Sequence, residues 1–277
     1  MTDYKKNIIA LLTDFGPLGG HYVASMKGVI LKINPNVKII DISHNISSFS
    51  IIEASYVIKT TYKYFPENTV FIIVVDPGVG SSRKILALKT KTNYFFVGPD
   101  NGIFLNAIAI DEISECVIID NDNYFIKPVS KTFHGRDIMA PVGAHILNGI
   151  HLNDFGPPFE PTNFTKYPIE YKVLPEKKVI HCTIMYVDNF GNGITNIVIE
   201  KNFIKGTSLS LKENMVIALE FKNQKYEGKF ISHFASASLN SLVFLKGSTN
   251  FLEISINQGN ASKDIGFKSG DIITIKL

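Results

Sequence analysis

Thr69-Val70-Phe71-Ile72-Ile73-Val74-Val75-Asp76-Pro77-Gly78 contains the most apolar strand-like run of the chain, and the run ends on a carboxylate and a glycine. A β-branched and aromatic run without polar alternation is what a strand buried on both faces requires, and such strands belong to parallel sheets covered by helices. The same texture recurs upstream, at residues 8–13 and 37–42, and downstream at 94–97. Between these runs Val23, Met26, Val29 or Ile30, and Ile33 repeat at helical spacing, residues 51–65 do likewise, and 135–148 are predicted to form a later helix. From Asn7 to about His151 this alternation predicts an α/β fold. It would be a doubly wound, mainly parallel sheet with helices on both faces, and the domain is taken as residues 1–165.

Beyond that domain the texture changes. Residues 153–175 hold five prolines, Pro157, Pro158, Pro161, Pro168 and Pro175, with few helix signals, and 166–178 are read as a linker. Strand-like runs then follow at 181–187, 195–199, 215–221, 241–245, 251–256 and 271–277, separated by Gly, Asn and Lys turns. They predict a small antiparallel β domain over 179–277, for which the pattern suits a barrel or a sandwich.

Composition narrows the classes of function. The 277 residues allow one or two domains; 45% hydrophobic residues, 19% charged residues and 20 Phe supply a dense core and exclude disorder. A net charge of +3, from 28 basic and 25 acidic residues with the lysines scattered, argues against a nucleic-acid partner. The apolar runs are far shorter than the roughly 18 residues of a membrane helix, and Met1 to Lys6 is polar, so neither a span nor a signal peptide is expected. Cys116 and Cys182 lie 66 positions apart without a Cys-x-x-Cys, which supports neither a disulfide framework nor a thiolate zinc site. Buried thiols in a reduced, cytoplasmic setting fit best.

In open α/β sheets ligands bind beyond the carboxyl ends of the strands, so polar residues that directly follow apolar runs are the candidates. Asp14 follows the first run and precedes Phe15-Gly16; it would either cap the next turn or accept from a pair of ribose hydroxyls. Asp76 is followed by glycines that let the chain turn back, so that Arg83 can return to it. The segment is then a turn with an ion pair, or a site whose Asp stays ionised with a lowered pKa. The Gly-Lys-Ser/Thr ending of a phosphate loop is absent. His134 precedes Gly135 at a helix start, structural by itself and able to steer a water beside an Asp and an Arg, while Arg136 and Asp137 suit helix-start pairs. Asp188-Asn189-Phe190-Gly191-Asn192-Gly193 joins two strands, either as a hairpin turn or as a stacking face with an amide and a charge. Asp41 and His44 lack further ligands at metal spacing, so no metal site is expected.

Taken in order, these segments resemble the family of S-adenosylmethionine hydrolases (hydroxide adenosyltransferases) and the related fluorinase and chlorinase. Further matching motifs are Gly98-Pro99-Asp100-Asn101-Gly102, Phe190-Gly191-Asn192 with Thr195-Asn196, and Asn257-Gln258-Gly259-Asn260. The resemblance runs from about Ile8 to the C-terminus. It implies an N-terminal α/β domain, a C-terminal β-barrel, and a homotrimer with active sites between one subunit's first domain and its neighbour's second. It also implies hydrolysis of S-adenosylmethionine to adenosine and L-methionine with no cofactor. The halogenases carry Tyr at the position of Asp76, whereas Asp76, Arg83 and His134 match the Asp, Arg and His of the water-using branch. Asp14 matches the ribose-binding Asp, Phe49 falls where an aromatic packs by the nucleoside, and Phe190 and Asn192 match adenine contacts. Asp188, Ser248 and Glu253 fall near the methionine moiety. One departure is the loop from Pro17 to His21, one residue longer than the family pattern, in which an acidic family residue has no clear counterpart. A halide-dependent transferase of the same fold and a non-catalytic nucleoside-binding module are the alternatives.

Overall fold

The computed structural model describes residues 7–277, so the expectation for Met1 to Lys6 lies outside the described residues. The chain divides into a first unit ending at Tyr167 and a second, Pro168–Leu277.

The first unit runs β1 (Ile8–Thr13), α1 (Gly20–Ile33), β2 (Lys38–Ser43), α2 (Ile51–Thr61), β3 (Val70–Val74), β4 (Ile85–Thr90), β5 (Phe95–Pro99), α3 (Ile103–Ala107) and β6 (Ile113–Ile118). A π-helical turn, Gly135–Met139, then continues into α4 (Ala140–Leu147). The sheet order is β2-β1-β3-β5-β4-β6, with β2, β1, β3 and β5 parallel and β4 antiparallel to both of its neighbours. β4 and β6 were not singled out by the apolar pattern. β6, at the sheet edge where burial on both faces is not required, exposes Ser114 and Glu115 and buries only Cys116 and Val117.

β3 sits at the centre and every residue of it is buried. Because side chains alternate along a strand, Val70, Ile72 and Val74 join Met26 and Ile30 of α1 and Val142 of α4 on one face. Phe71 and Ile73 join Ala54 and Ile58 of α2 and Phe104 of α3 on the other. The start of α2 is fixed by a reciprocal cap: the Glu53 amide donates to Ser50 Oγ at 3.3 Å, and the Glu53 carboxylate accepts from the Ser47 amide at 2.9 Å.

The second unit comprises β7 (Tyr171–Leu174), β8 (Val179–Val187), β9 (Gly193–Glu200), β10 (Phe203–Ile204), β11 (Val216–Phe221), β12 (Gln224–Ile231), β13 (Leu242–Lys246), β14 (Phe251–Ile256), α5 (Ala261–Ile265) and β15 (Ile272–Lys276). The ring β9-β14-β13-β12-β11-β15-β8 closes through pairing of β8 with β9, making a seven-stranded barrel. Two sequence expectations change here. Residues 166–178 are not simply a linker, because β7 pairs with β8, Val173 opposite Ile180. Pro168 and Pro175 lie outside the paired residues, and an edge strand tolerates such neighbours. The barrel is also not wholly antiparallel: β12 and β13 run parallel, Phe230 opposite Phe244, joined by a crossover through residues 232–241 instead of a hairpin.

Both cysteines are free and buried, and burial pushes the Cys116 thiol up to about 12, with the charges of Asp100 and Glu160 adding to the shift. Among the described residues no helix is long and apolar enough to cross a membrane.

Two glycines separate close packing from conformational freedom. A Cβ on Gly135 would lie 2.8 Å from Val74 Cγ1 and 3.1 Å from Cγ2, both on a stiff β-branched side chain, whereas one on Gly28 in α1 would meet nothing within 4 Å. Thermal unfolding should therefore show Gly135→Ala destabilised by about 1–3 kcal/mol through overpacking. Gly28→Ala should be stabilised by about 0.5–1 kcal/mol. Equal responses of the two variants would contradict this packing.

Candidate active site

β1 and β3 are parallel neighbours, so their carboxyl ends deliver Asp14 and Asp76 to the same edge of the sheet. His134 arrives from the start of the π-helical turn, and Gly135 lets that turn press against Val74. Asp14, Phe49, Asp76 and His134 line one cleft of about 410 Å³.

The Asp76 side chain is 7% exposed. Its Oδ1 accepts from the Gly78 amide at 2.9 Å and lies 2.8 Å from Arg83 Nε. Burial raises the Asp76 pKa, and the Gly78 amide and the charges of Arg83 and His134 only partly offset it, while Asp14 pushes in the same direction as burial. The lowered pKa expected from the Asp-Arg pairing is thereby corrected to a raised one, because a carboxylate at the end of a fully buried strand loses more hydration than one guanidinium returns. Arg83 does not line the cleft; it backs Asp76 from behind. Its guanidinium lies so close to the Gly78 backbone that a Cβ there would be 2.4 Å from Nη2. Its Nη1 donates to the Asp100 carbonyl at 3.4 Å.

The Gly98–Gly102 motif supports this arrangement. Asn101, 2% exposed, donates through Nδ2 to the Val75 carbonyl at 2.7 Å, one residue ahead of Asp76. The Asp100 carboxylate accepts from the amide and hydroxyl of Thr165 at 2.9 and 3.0 Å. Arg136 and Asp137 form the expected helix-start pair, with Nε to Oδ1 at 2.6 Å, and the fully buried Asp137 also accepts from the Ser130 amide at 2.8 Å.

Across the cleft, Asp14 Oδ2 accepts from the Phe49 amide at 2.8 Å. Phe49 is held at φ 68° with its ring 65% exposed. Sequence reasoning missed the aromatic wall made by Phe15, Tyr22 and Phe133, whose ring centroids lie 5.2 to 5.8 Å apart. A signal was present, since Phe15 follows Asp14 and Phe133 precedes His134.

In the second unit, Asp188 organises the turn between β8 and β9. Its Oδ1 accepts from the amides of Phe190 and Asn192, and its Oδ2 from Asn192 Nδ2, all at 2.9 Å. The hairpin reading is realised: the Asn192 amide and both Asp188 carboxylate oxygens are engaged inside the turn, which leaves Phe190 73% exposed. Burial raises the Glu253 pKa and the charge of nearby Asp188 adds to it. The Glu253 carboxylate occupies the space a side chain at Gly247 would need, beside exposed Ser248. Among the described residues no three His, Cys, Asp or Glu side chains are grouped to hold a metal ion.

The comparisons with known proteins agree across both units. The (R)-S-adenosyl-L-methionine hydrolase of Methanocaldococcus jannaschii is 40% identical over 95% of this chain and 93% of its own length. That of Salinispora tropica is 31% identical over 96% and 97%. Fluorinases also match, at 24% identity for that of Nocardia brasiliensis. The crystal structure of an uncharacterized conserved protein from Thermotoga maritima superposes with a TM-score of 0.86 at 35% identity, covering 97% of this chain and 100% of that one. Residues 9–156 match the model of the SAM hydroxide adenosyltransferase N-terminal domain and residues 182–274 that of the C-terminal domain, and the chain therefore belongs to the SAM hydroxide adenosyltransferase family.

Proposed function

We propose that this protein hydrolyses S-adenosyl-L-methionine to adenosine and L-methionine by in-line attack of water at the ribose 5′ carbon. The observation that carries the reading is the Asp76 carboxylate, 2.8 Å from Arg83 Nε and lining one cleft with His134 and Asp14. In the reaction the water oxygen bonds to the 5′ carbon as the carbon–sulfur bond breaks. The electron pair stays on sulfur, and the water proton passes to Asp76 or His134. A sulfonium leaves as a neutral thioether, so the step asks for neither a general acid nor a metal, and catalysis reduces to placing the water and excluding solvent.

Asp76 and His134 orient the water, and Arg83 holds Asp76 in place. Asp14 accepts from the ribose hydroxyls, and Phe49 packs against the nucleoside. Phe190 and Asn192 contact adenine, and Asp188, Ser248 and Glu253 serve the methionine end. A buried carboxylate beside the nucleophile disfavours a halide by a few kcal/mol, about 4 at 4 Å and an effective dielectric constant of 20, which sets the hydrolase reading above a halogenase. By family resemblance the protein works as a homotrimer whose sites are completed by a neighbouring subunit, and its two unpaired cysteines suit a reduced, cytoplasmic setting.

Incubation with S-adenosylmethionine, without halide and with a chelator present, should yield adenosine and methionine in equal amounts. Asp76→Asn and His134→Ala should lower turnover while adenosine affinity changes little, whereas Asp14→Ala should weaken adenosine binding by about 2–4 kcal/mol. Parental turnover in both of the first two variants would reject the assignment, and metal-restored activity after chelation would reject the mechanism.

The raised Asp76 pKa sets a direction for pH dependence. The ionised carboxylate is the active form, so the acid limb of kcat/KM should lie above the ordinary Asp value of about 3.9. Arg83→Ala removes a cation that lowers this pKa and should move the limb to higher pH. A limb that stays in place in Arg83→Ala would separate the two residues functionally.

For the assembly, light scattering of the full chain should give the mass of a trimer, about three times 30.8 kDa. A fully active monomer would exclude a shared site.

A further inference from the structure

Asp41 and His44 are joined to the edge of the sheet that carries Asp14 by a line of polar contacts. Thr13, the last residue of β1, is wholly buried, and its Oγ1 lies 2.9 Å from His44 Nδ1. His44 Nε2 lies 3.1 Å from Asp41 Oδ1, within ion-pair distance, but is buried without a partner in hydrogen-bond geometry. Asp41 Oδ2 in turn accepts from Lys27 Nζ of α1 at 2.6 Å. The direction of the bonds follows from the chemistry of the groups. Asp41 only accepts, so the tautomer that suits this surrounding has its proton on Nε2, with Nδ1 accepting from the Thr13 hydroxyl. Thr13 Oγ1 then keeps a lone pair for the Phe15 amide, 3.4 Å away. Burial raises the Asp41 carboxyl, but the contacts with Lys27 and His44 outweigh it and leave the pKa below the ordinary value, which keeps the acceptor ionised.

The line meets the chain on both sides of Asp14. Thr13 precedes it, and the Gly16 amide, two residues after it, donates to the His44 carbonyl at 2.7 Å. The need for such a tie is visible in the sheet: the register between β1 and β2 slips between Leu11 and Leu12, so that Leu11 faces Asp41 but Leu12 faces Ser43. The ladder with β3 continues unbroken to Thr13 opposite Val74, so the bulge interrupts the end of β1 only on its β2 side, where Thr13 meets His44. Resting on the ribose-binding role of Asp14, we propose that Thr13, His44, Asp41 and Lys27 form a line of polar contacts, anchored by the Thr13–His44 hydrogen bond, that holds the Asp14 carboxylate in its ribose-accepting position. Thr13 and His44 are positioning residues. Thr13, fully buried, touches no substrate.

The test measures adenosine affinity by calorimetry, together with kcat and KM, in Thr13→Val, Thr13→Ser, His44→Ala and Asp14→Ala. Thr13→Val keeps shape and strand preference and removes only the hydroxyl. It and His44→Ala should weaken adenosine binding and raise KM on the order of tenfold with kcat little changed, while Thr13→Ser stays within about twofold of the parent. In the Asp14→Ala background Thr13→Val should cost at most about a further twofold, because the residue it supports is gone. An equal loss in both backgrounds, or a Thr13→Ser as impaired as Thr13→Val, would assign the line a general structural role and overturn the proposal. If His44→Ala fails to fold, the Thr13 pair decides alone. Should Asp14→Ala bind adenosine as tightly as the parent, the ribose role itself fails and the proposal with it. Should Asp14→Ala bind weakly while Thr13→Val and His44→Ala do not, the ribose role stands and the line is excluded.

Discussion

Keeping a carboxylate at the end of a strand that is buried throughout is the constraint around which the first unit is built. β3 is covered on both faces, and Asp76 follows it with a side chain only 7% exposed. Burying an ionised carboxyl is costly unless it is paired and hydrogen-bonded. The loop after β3 therefore turns back to supply the Gly78 amide and the Arg83 guanidinium, and the Gly98–Gly102 segment holds Arg83 and the Val75 carbonyl. That the pKa still ends above the ordinary value means the compensation is incomplete. A group whose charge is under-compensated at rest is suited to accept a proton from an attacking water, whereas full compensation would make it a weak base.

Close backbone approach is the second requirement, and glycine meets it at particular points. At Gly78 the missing side chain is the space the guanidinium fills, and at Gly80, with φ 80°, a Cβ would lie 2.4 Å from the Lys131 carbonyl. These positions bring the loop after β3 against the segment that leads to His134. Gly135 then seats the π-helical turn on Val74, and a π turn inside a helix is itself a common mark of a functional site.

Much of this was legible in the sequence because it follows from one rule, that polar residues directly after apolar strands point into the crevice. Asp14 and Asp76 were found that way, His134 through its place before a glycine at a helix start, and Arg83 through the glycines that return it. What was not legible depends on partners distant in sequence. The edge strands β6 and β7 each carry exposed polar or half-polar residues in their first half and show no strand period, so periodicity alone does not separate them from loop. The parallel pairing of β12 with β13 is decided by the route of a crossover and leaves no local signature. The sign of the Asp76 shift required knowing how deeply the strand end is buried, a property of the whole sheet and not of the Asp-Arg pair.

The two sides of the cleft solve different problems with the same means. On the Asp76 side, charge is held under tension by burial. On the Asp14 side it is geometry that is held: Phe49 at φ 68° occupies a conformation uncommon for a residue with a side chain, and it persists because its amide is bonded to Asp14. The chain on either side of Phe49 is fixed by the cap of α2, where the buried Glu53 takes the Ser47 amide and Ser50 takes that of Glu53. One carboxylate oxygen of Asp14 is thus committed to the loop that carries the aromatic ring. A backbone held in this way by Asp14 has already met part of its ordering cost before any ligand arrives.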